Sequence, residues 1–224
     1  MKLILWFSIS GVIGCIDGSH IPIRAPHDLP SSYVNRKGFH SILLQAVCDH
    51  ELRFLDCYAG EVGSIHDACM LRRSDFMEKL NNDAFFPSES HVLGDPAYPL
   101  MDHLLVAFKD TGRLTSRERK FNTTLSAARC TIERALALLK NRFRRLKYLD
   151  MTRVDLVPQV IIACCILHNM CLTNGDILDD STDTIDCDHT HVQSDDFGGS
   201  VLDAAVRRAG VRKRDKIADL LCCK

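Results

Sequence analysis

Four acidic residues stand where an acid is costly or out of place. Asp17 interrupts the apolar run of residues 12–23, and Asp95 follows the short apolar stretch 91–94. Asp67 opens a segment of helical spacing, and Glu133 lies one residue from the apolar stripe of a basic helical segment. Hard divalent cations such as Mg²⁺ take carboxylate oxygens and keep water or phosphate on their other positions. Two such ions about 4 Å apart activate a water and stabilise the leaving oxygen in phosphodiester cleavage. Acids on two strand ends and one facing helix can converge on such a site; their spacing alone leaves convergence open. Each acid also has a local reading. Asp17-Gly18 fits a hairpin turn. Asp67, with Ser64 three residues before it, fits the first turn of a capped helix. Asp95-Pro96 fits a simple turn. Glu133 fits an ion pair with Arg129 or Arg134 on a solvated face.

The elements that must position these acids follow from the hydrophobic pattern. Residues 12–23 read as a strand carrying a polar Asp17-Gly18-Ser19-His20 insert, and Pro22, Pro26 and Pro30 make the next stretch a loop. Residues 41–48 read as a short buried strand, 49–51 as a turn and 52–59 as the second strand of a hairpin. A loop, 60–66, leads into a predicted helix over 67–80, with Cys69, Met70, Phe76, Met77 and Leu80 on one side. Residues 91–94 form a short strand that ends at Asp95, and 104–108 a further short apolar segment. The clearest helix is 124–146, where Ile132, Leu136, Leu139 and Phe143 recur on one face. Residues 156–172 form a second helix, apolar nearly all round and so expected to be buried, with Pro158 in its tolerant first turn. Residues 201–221 form an amphipathic terminal helix, interrupted at Gly210. Strands first, then a helix, a short strand and long helices predict an α/β or α+β domain with a mixed sheet, not a doubly wound fold.

The chain has 224 residues, enough for a full core without staples. Its formal net charge of -1 argues for no particular partner. That balance hides two blocks. Residues 113–147 hold eleven Lys/Arg against two acids, a local net of +9, and suit a polyanion. Residues 174–198 hold eight Asp and no Lys or Arg, the composition of a disordered linker. Eleven scattered cysteines without a CxxC favour a reducing compartment over a disulfide framework. Cys164-Cys165-x-x-His168-x-x-Cys171 lies in a stretch that reads as core rather than as zinc ligands, which normally come from more than one segment. His168-Asn169 reads as a buried hydrogen-bonded pair. His20, His66 and His103 stand near the acids in sequence without a role of their own. No run of about 18 uncharged apolar residues is present. Residues 3–16 resemble a short signal segment, and the competing reading is a buried first strand whose true start lies upstream. No nucleophile elbow, dinucleotide fingerprint or P-loop occurs.

Several blocks carry a resemblance. Ile16-Asp17-Gly18-Ser19-His20-Ile21, Gly63-Ser64-Ile65-His66-Asp67 and Leu93-Gly94-Asp95-Pro96-Ala97-Tyr98-Pro99-Leu100 resemble those of the PIF/Harbinger DDE transposases. So do Asn122 to Arg134, Leu139-Lys140-Asn141-Arg142-Phe143 and Leu167-His168-Asn169, all in the family's order. Within that family the chain is similar to the transposase-derived nucleases of animals. The resemblance implies a ribonuclease H-like fold, a five-stranded mixed sheet flanked by helices. It implies Asp17, Asp95 and Glu133 as a catalytic DDE triad, with Asp67 as a fourth metal-site carboxylate. It further implies two Mg²⁺ or Mn²⁺ ions, in-line attack of water on a DNA phosphodiester, and a 3′-hydroxyl product, hence a hydrolase acting on ester bonds. On this reading Arg129, Lys140, Arg142, Arg144, Arg145 and Lys147 hold the DNA backbone, positioning it without specifying bases. The resemblance also suggests action in the nucleus, and a separate Myb-like partner that supplies DNA recognition. The sequence departs from the pattern at Pro96-Ala97, where the family has a Gly before Tyr, and at Leu136-Ala137, where Phe-Gly is frequent. The helical DNA-binding region that precedes the first Asp in the family has only about sixteen residues to occupy here. These departures motivate an alternative, a non-catalytic domain that binds DNA or protein. The expected organisation is a catalytic domain over 1–173, an acidic linker over 174–200 and a basic helix over 201–224.

Overall fold

The structure, a computed structural model, describes residues 9–87, 89–176 and 204–222. Residues 1–8 of the apolar N-terminal stretch and residues 177–200 of the acidic stretch lie outside the described residues. Five strands form one sheet: β1 (Val12–Pro22), β2 (Ser41–Cys48), β3 (Phe54–Val62), β4 (His91–Leu93) and β5 (Leu104–Leu105), in the order β3-β2-β1-β4-β5. β1 pairs antiparallel with β2, and β2 with β3; β1 pairs parallel with β4, and β4 with β5. Every residue of β2 is buried, so it reads as an almost unbroken apolar run. The polar insert does not break β1. Asp17 stays paired with Ala46, and Gly18 with Gln45, so Asp17-Gly18 is strand and not a hairpin turn.

Helices cover both faces. Residues alternate across β1, with Ile16 on one side and Cys15 and Ile21 on the other. On the Ile16 side lie α1 (Asp67–Arg73) and α2 (Phe76–Leu80), through Leu71, Phe76 and Leu80. On the Cys15 side lie α3 (Ser116–Arg142), α4 (Val157–Thr173) and α5 (Ala204–Cys222), through Phe121, Ile132, Ile161 and Ile217. This is the five-stranded mixed sheet flanked by helices of a ribonuclease H-like core.

The helices differ from the sequence expectation in four places. The single helix over 67–80 is two. Ser74 turns to extended backbone, and its hydroxyl donates to the Leu71 carbonyl at 2.9 Å. α3 starts at Ser116, well before residue 124, because Thr115 and Glu118 close a reciprocal capping box. It stops at Arg142, and residues 144–147 form a 3₁₀ turn. α5 passes through Gly210 unbroken. A Cβ there would stand 2.8 Å from the Met101 carbonyl group, so this glycine permits close helix packing rather than a break.

α4 is buried on one face only. Val157, Ile161, Cys165 and His168 point inward, while Ile166, Leu167 and Met170 are about half exposed. Residues Val154–Thr173 are long and apolar enough to cross a membrane by composition alone, a test that a core helix also passes. This helix is stapled to the sheet. His168 Nε2 donates to the Leu52 carbonyl at 3.1 Å. The Asn169 amide donates to the Phe54 carbonyl and accepts from the Phe54 N–H, both at 2.8 Å. The expected polar pair is therefore two separate ties to the chain entering β3.

Candidate active site

The site arises where β1 outruns its neighbour. The last β1–β4 pair is Cys15 with Leu93, so Asp17 lies beyond the end of β4 while β2 still holds its other side. Asp95 follows β4 by two residues and enters the same space. Crevices beyond the carboxyl ends of strands, where the strand order reverses, are the usual binding place in open α/β sheets.

Each acid is held by a local device. Asp17 Oδ1 accepts the Gly18 N–H at 2.8 Å. Asp95 Oδ1 accepts the Ala97 N–H at 2.9 Å, so the Asp95-Pro96 turn and the site use the same carboxylate. Asp67 is the first residue of α1. His66, not Ser64, stands at the cap position, with no side-chain cap bond. Asp67 instead leans over β1 from the Ile16 side: a Cβ on Gly18 would meet its Oδ1 at 2.2 Å. From the opposite side α3 contributes two charges one turn apart. Arg129 Nη2 donates to Asp17 Oδ2 at 3.3 Å and stands 4.0 Å from Glu133 Oε1.

The electrostatics follow from this crowding. Burial pushes the Asp17 carboxyl up to about 7; Arg129 opposes the rise, while the charges of Asp95 and Asp67 add to it. Burial, then Asp95, pushes Asp67 up to about 6. Burial also raises Asp95. Burial works against the charge on Arg129, but Asp17, Asp95 and Glu133 together outweigh it and hold its pKa above the ordinary value. Three buried polar atoms here lack a hydrogen-bond partner: Glu133 Oε2, Arg129 Nε and the Tyr98 hydroxyl. Tyr98 belongs to the Asp95 block that carries the resemblance, but no role was expected of it, since its residue type alone does not separate it from an ordinary core tyrosine.

Among the described residues, no three Asp, Glu, His or Cys side chains converge in ligand geometry. What the acids face is the Arg129 guanidinium. The donor chemistry nonetheless fits a hard divalent cation: the cluster offers carboxylate oxygens alone, one of them buried and unpartnered on Glu133.

The six basic residues expected along the DNA backbone divide into two groups. Arg129 sits among the acids. Lys140 donates to Ser19 Oγ at 2.7 Å and to the His20 carbonyl at 3.1 Å, tying α3 to β1 just past Asp17. Burial lowers its pKa to about 8. The Arg142 side chain is 7% exposed and pairs with the Asp176 carboxylate. Arg144, Arg145 and Lys147 are exposed on the 3₁₀ turn beyond α3. The nearby histidines have structural partners: His20 meets Ser41 Oγ at 2.9 Å, His66 meets Arg36, and His103 stacks on Phe86 with centroids 4.3 Å apart.

Comparison with known proteins places the chain in a family. A family model described as "DDE superfamily endonuclease" matches residues 16–169. HARBI1 of Mus musculus, which carries a nuclease name, is 35% identical over 168 residues, covering 74% of this chain and 47% of its own length. Its Homo sapiens counterpart is 32% identical over the same shares of each chain. Protein ALP1-like of Arabidopsis thaliana is 33% identical over 240 residues, 96% of this chain and 56% of its own. The chain thus spans about half the length of the curated relatives it matches. No solved structure matches significantly.

Proposed function

The chain belongs to the DDE superfamily endonuclease family, and from that premise we propose that it is a divalent-metal-dependent DNA endonuclease of transposase descent. The observation that carries this reading is the arrangement around Arg129. Asp17 from the central strand, Asp95 from the end of β4 and Glu133 from α3 surround one guanidinium, with Asp67 leaning in across Gly18. No fold-stabilising need explains so many buried carboxylates in one place, because burying charge is costly.

In this reading Asp17, Asp95 and Glu133 hold the catalytic cations, and Asp67 supports them from the start of α1. Bound there, Mg²⁺ or Mn²⁺ would supply Lewis acidity to the scissile phosphate and acidify the attacking water. The chain's own part is to fix the carboxylates on three rigid elements. Lys140 locks α3 against β1 at Ser19. In-line attack breaks the P–O3′ bond and leaves a 3′-hydroxyl and a 5′-phosphate. Arg144, Arg145 and Lys147 offer exposed charge for backbone phosphates. Action in the nucleus, and base recognition by a Myb-like partner protein, belong to the same reading.

The test is plasmid nicking with Mg²⁺ or Mn²⁺, beside Asp95→Asn and Glu133→Gln. Metal-dependent nicking that both substitutions abolish is expected. Nicking that survives both would assign the activity elsewhere. A second reading, a domain that binds protein without cleaving DNA, draws on the exposed Ile166, Leu167 and Met170 of α4. Metal binding without nicking of single- or double-stranded DNA would favour it.

A further inference from the structure

We infer that Arg129 is the internal counter-cation of the acid cluster, standing where divalent metal must enter and displaced when metal binds. The inference rests on the metal-site reading above and adds a residue that sets how tightly that site takes its ion.

The placement of Arg129 supports competition rather than permanent anchoring. Its side chain is 16% exposed against 18% for Asp17 and 28% for Glu133, so guanidinium and carboxylates open to solvent at the same mouth of the site. One nitrogen, Nη2, serves both acids, at 3.3 Å from Asp17 Oδ2 and 4.0 Å from Glu133 Oε1. An arginine built as a fixed structural tie uses its planar fork, with two parallel N–H···O bonds to one carboxylate. Here the fork is not used, and the buried Nε has no partner. The guanidinium satisfies the acids' field more than their hydrogen-bonding capacity.

A phosphate-holding role fits this position poorly. A side chain already committed to Asp17 and enclosed by Asp95 and Glu133 stands in a negative surrounding that repels phosphate. A divalent cation, by contrast, needs the Asp17 oxygen that Nη2 holds. Two positive charges crowded on one buried carboxylate repel each other, and the long 3.3 Å bond from Nη2 is the weaker of the two attachments, so metal binding drives the guanidinium off. Holding the acids with a single positive charge keeps them together before metal arrives. It also weakens metal binding by the work of removing that charge.

The experiment is calorimetric titration of Mn²⁺ into the full chain at pH 8, for wild type, Arg129→Gln, Arg129→Lys and Asp95→Asn. Thermal midpoints are recorded with and without Mn²⁺. Arg129→Gln is expected to bind Mn²⁺ at least tenfold more tightly. Its metal-free midpoint should fall while its gain on adding Mn²⁺ exceeds that of wild type. Arg129→Lys, which keeps the charge, should stay close to wild type. Unchanged or weaker Mn²⁺ binding by Arg129→Gln overturns the inference. If wild type binds Mn²⁺ and Asp95→Asn does not, that failure leaves the metal-site reading intact. If neither wild type nor Arg129→Gln binds Mn²⁺, both fall together. Should Arg129→Gln not fold, the wild type decides. The Arg129 Nε resonance, assigned by its loss in Arg129→Lys, must shift on saturation with Mg²⁺, and an unmoved resonance overturns the inference.

Discussion

Adding one methyl group at Gly18 tests whether Asp67 works in the site. The Cβ of Gly18→Ala would stand 2.2 Å from Asp67 Oδ1 and 3.0 Å from its Cγ. Ordinary contact lies near 3.5 Å, so a withdrawal of about 1 Å is forced on one partner. β1 cannot be that partner, since it is pinned to β2 at Asp17, Gly18 and Ser19. Asp67 opens a short helix and must turn its side chain away. A rotamer displaced by this much costs about 0.5–1.5 kcal/mol, and the lost glycine entropy returns about 0.4–1 kcal/mol. Net stability should therefore hardly change. A misplacement of about 1 Å at the chemistry, however, costs on the order of 100-fold in rate. The assay is the initial nicking rate with Mn²⁺ for Gly18→Ala, Asp67→Ala and the double variant, with urea midpoints for each. The expected pattern is a fall of about 100-fold for Gly18→Ala, a near-native midpoint, and a double variant no slower than Asp67→Ala. Nicking by Gly18→Ala within about threefold of wild type would refute the reasoning, because the carboxylate would have moved without consequence. Fully multiplicative losses in the double variant would show that the methyl group acts elsewhere.

Three further outcomes follow from the same structure. Folded Asp17 titrates at about 7 and Asp67 at about 6, both above the ordinary 3.8. Their contribution is therefore full below that ordinary value and is lost as pH rises through the folded values. The metal-free chain should lose urea resistance between pH 4 and pH 7, and Asp17→Asn should flatten that loss; equal slopes would contradict the burial of Asp17. Asn169→Ala removes both hydrogen bonds to the Phe54 backbone and should cost about 2–4 kcal/mol in urea unfolding, whereas a loss under about 0.5 kcal/mol would show that water replaces them. Gly210→Ala drives a methyl group into the Met101 carbonyl and should cost about 1–3 kcal/mol, with faster trypsin cleavage in α5; unchanged cleavage would mean that the helix shifts without loosening.

Much of this architecture was legible in the residues. β2 matched residue for residue because a strand buried on both faces leaves an apolar run bounded by a polar turn. The five-stranded sheet was implied by family resemblance, which carried topology that local patterns do not encode. Capping chemistry was available but went unread at Thr115 and Glu118, where the four-residue box marks the true start of α3. Gly210 misled because a helix breaker and a close-packing glycine look alike until Met101 lies beneath it. The apolar face of α4 misled in the opposite direction, since hydropathy counts residues and not their neighbours. Asp67 was better explained on spacing as a first-turn acid of a helix capped by Ser64; the structure keeps the first-turn acid, puts His66 at the cap position, and adds a closeness to Gly18, 49 positions away, that spacing could not show. Arg129 shows the same limit. Its i+4 partner Glu133 was visible, but Asp17 lies 112 positions upstream, and charge meeting over that distance is a property of the fold.

The order in which the chain supplies these charges bears on how it is made. Synthesis runs from the N-terminus, and segments fold as they emerge. β1, β2 and β3 pair through local connections and can form early, bringing Asp17 alone. β4 must cross back to lie parallel beside β1 before Asp95 draws near. Glu133 comes last, on a helix that presents Arg129 one turn ahead of it. The final carboxylate thus never docks before its neutralising partner has been translated. A nascent chain stopped short of residue 129 would have Arg36 to offset Asp67 and Asp95, but Asp17 would wait for α3 to bring its own counter-charge.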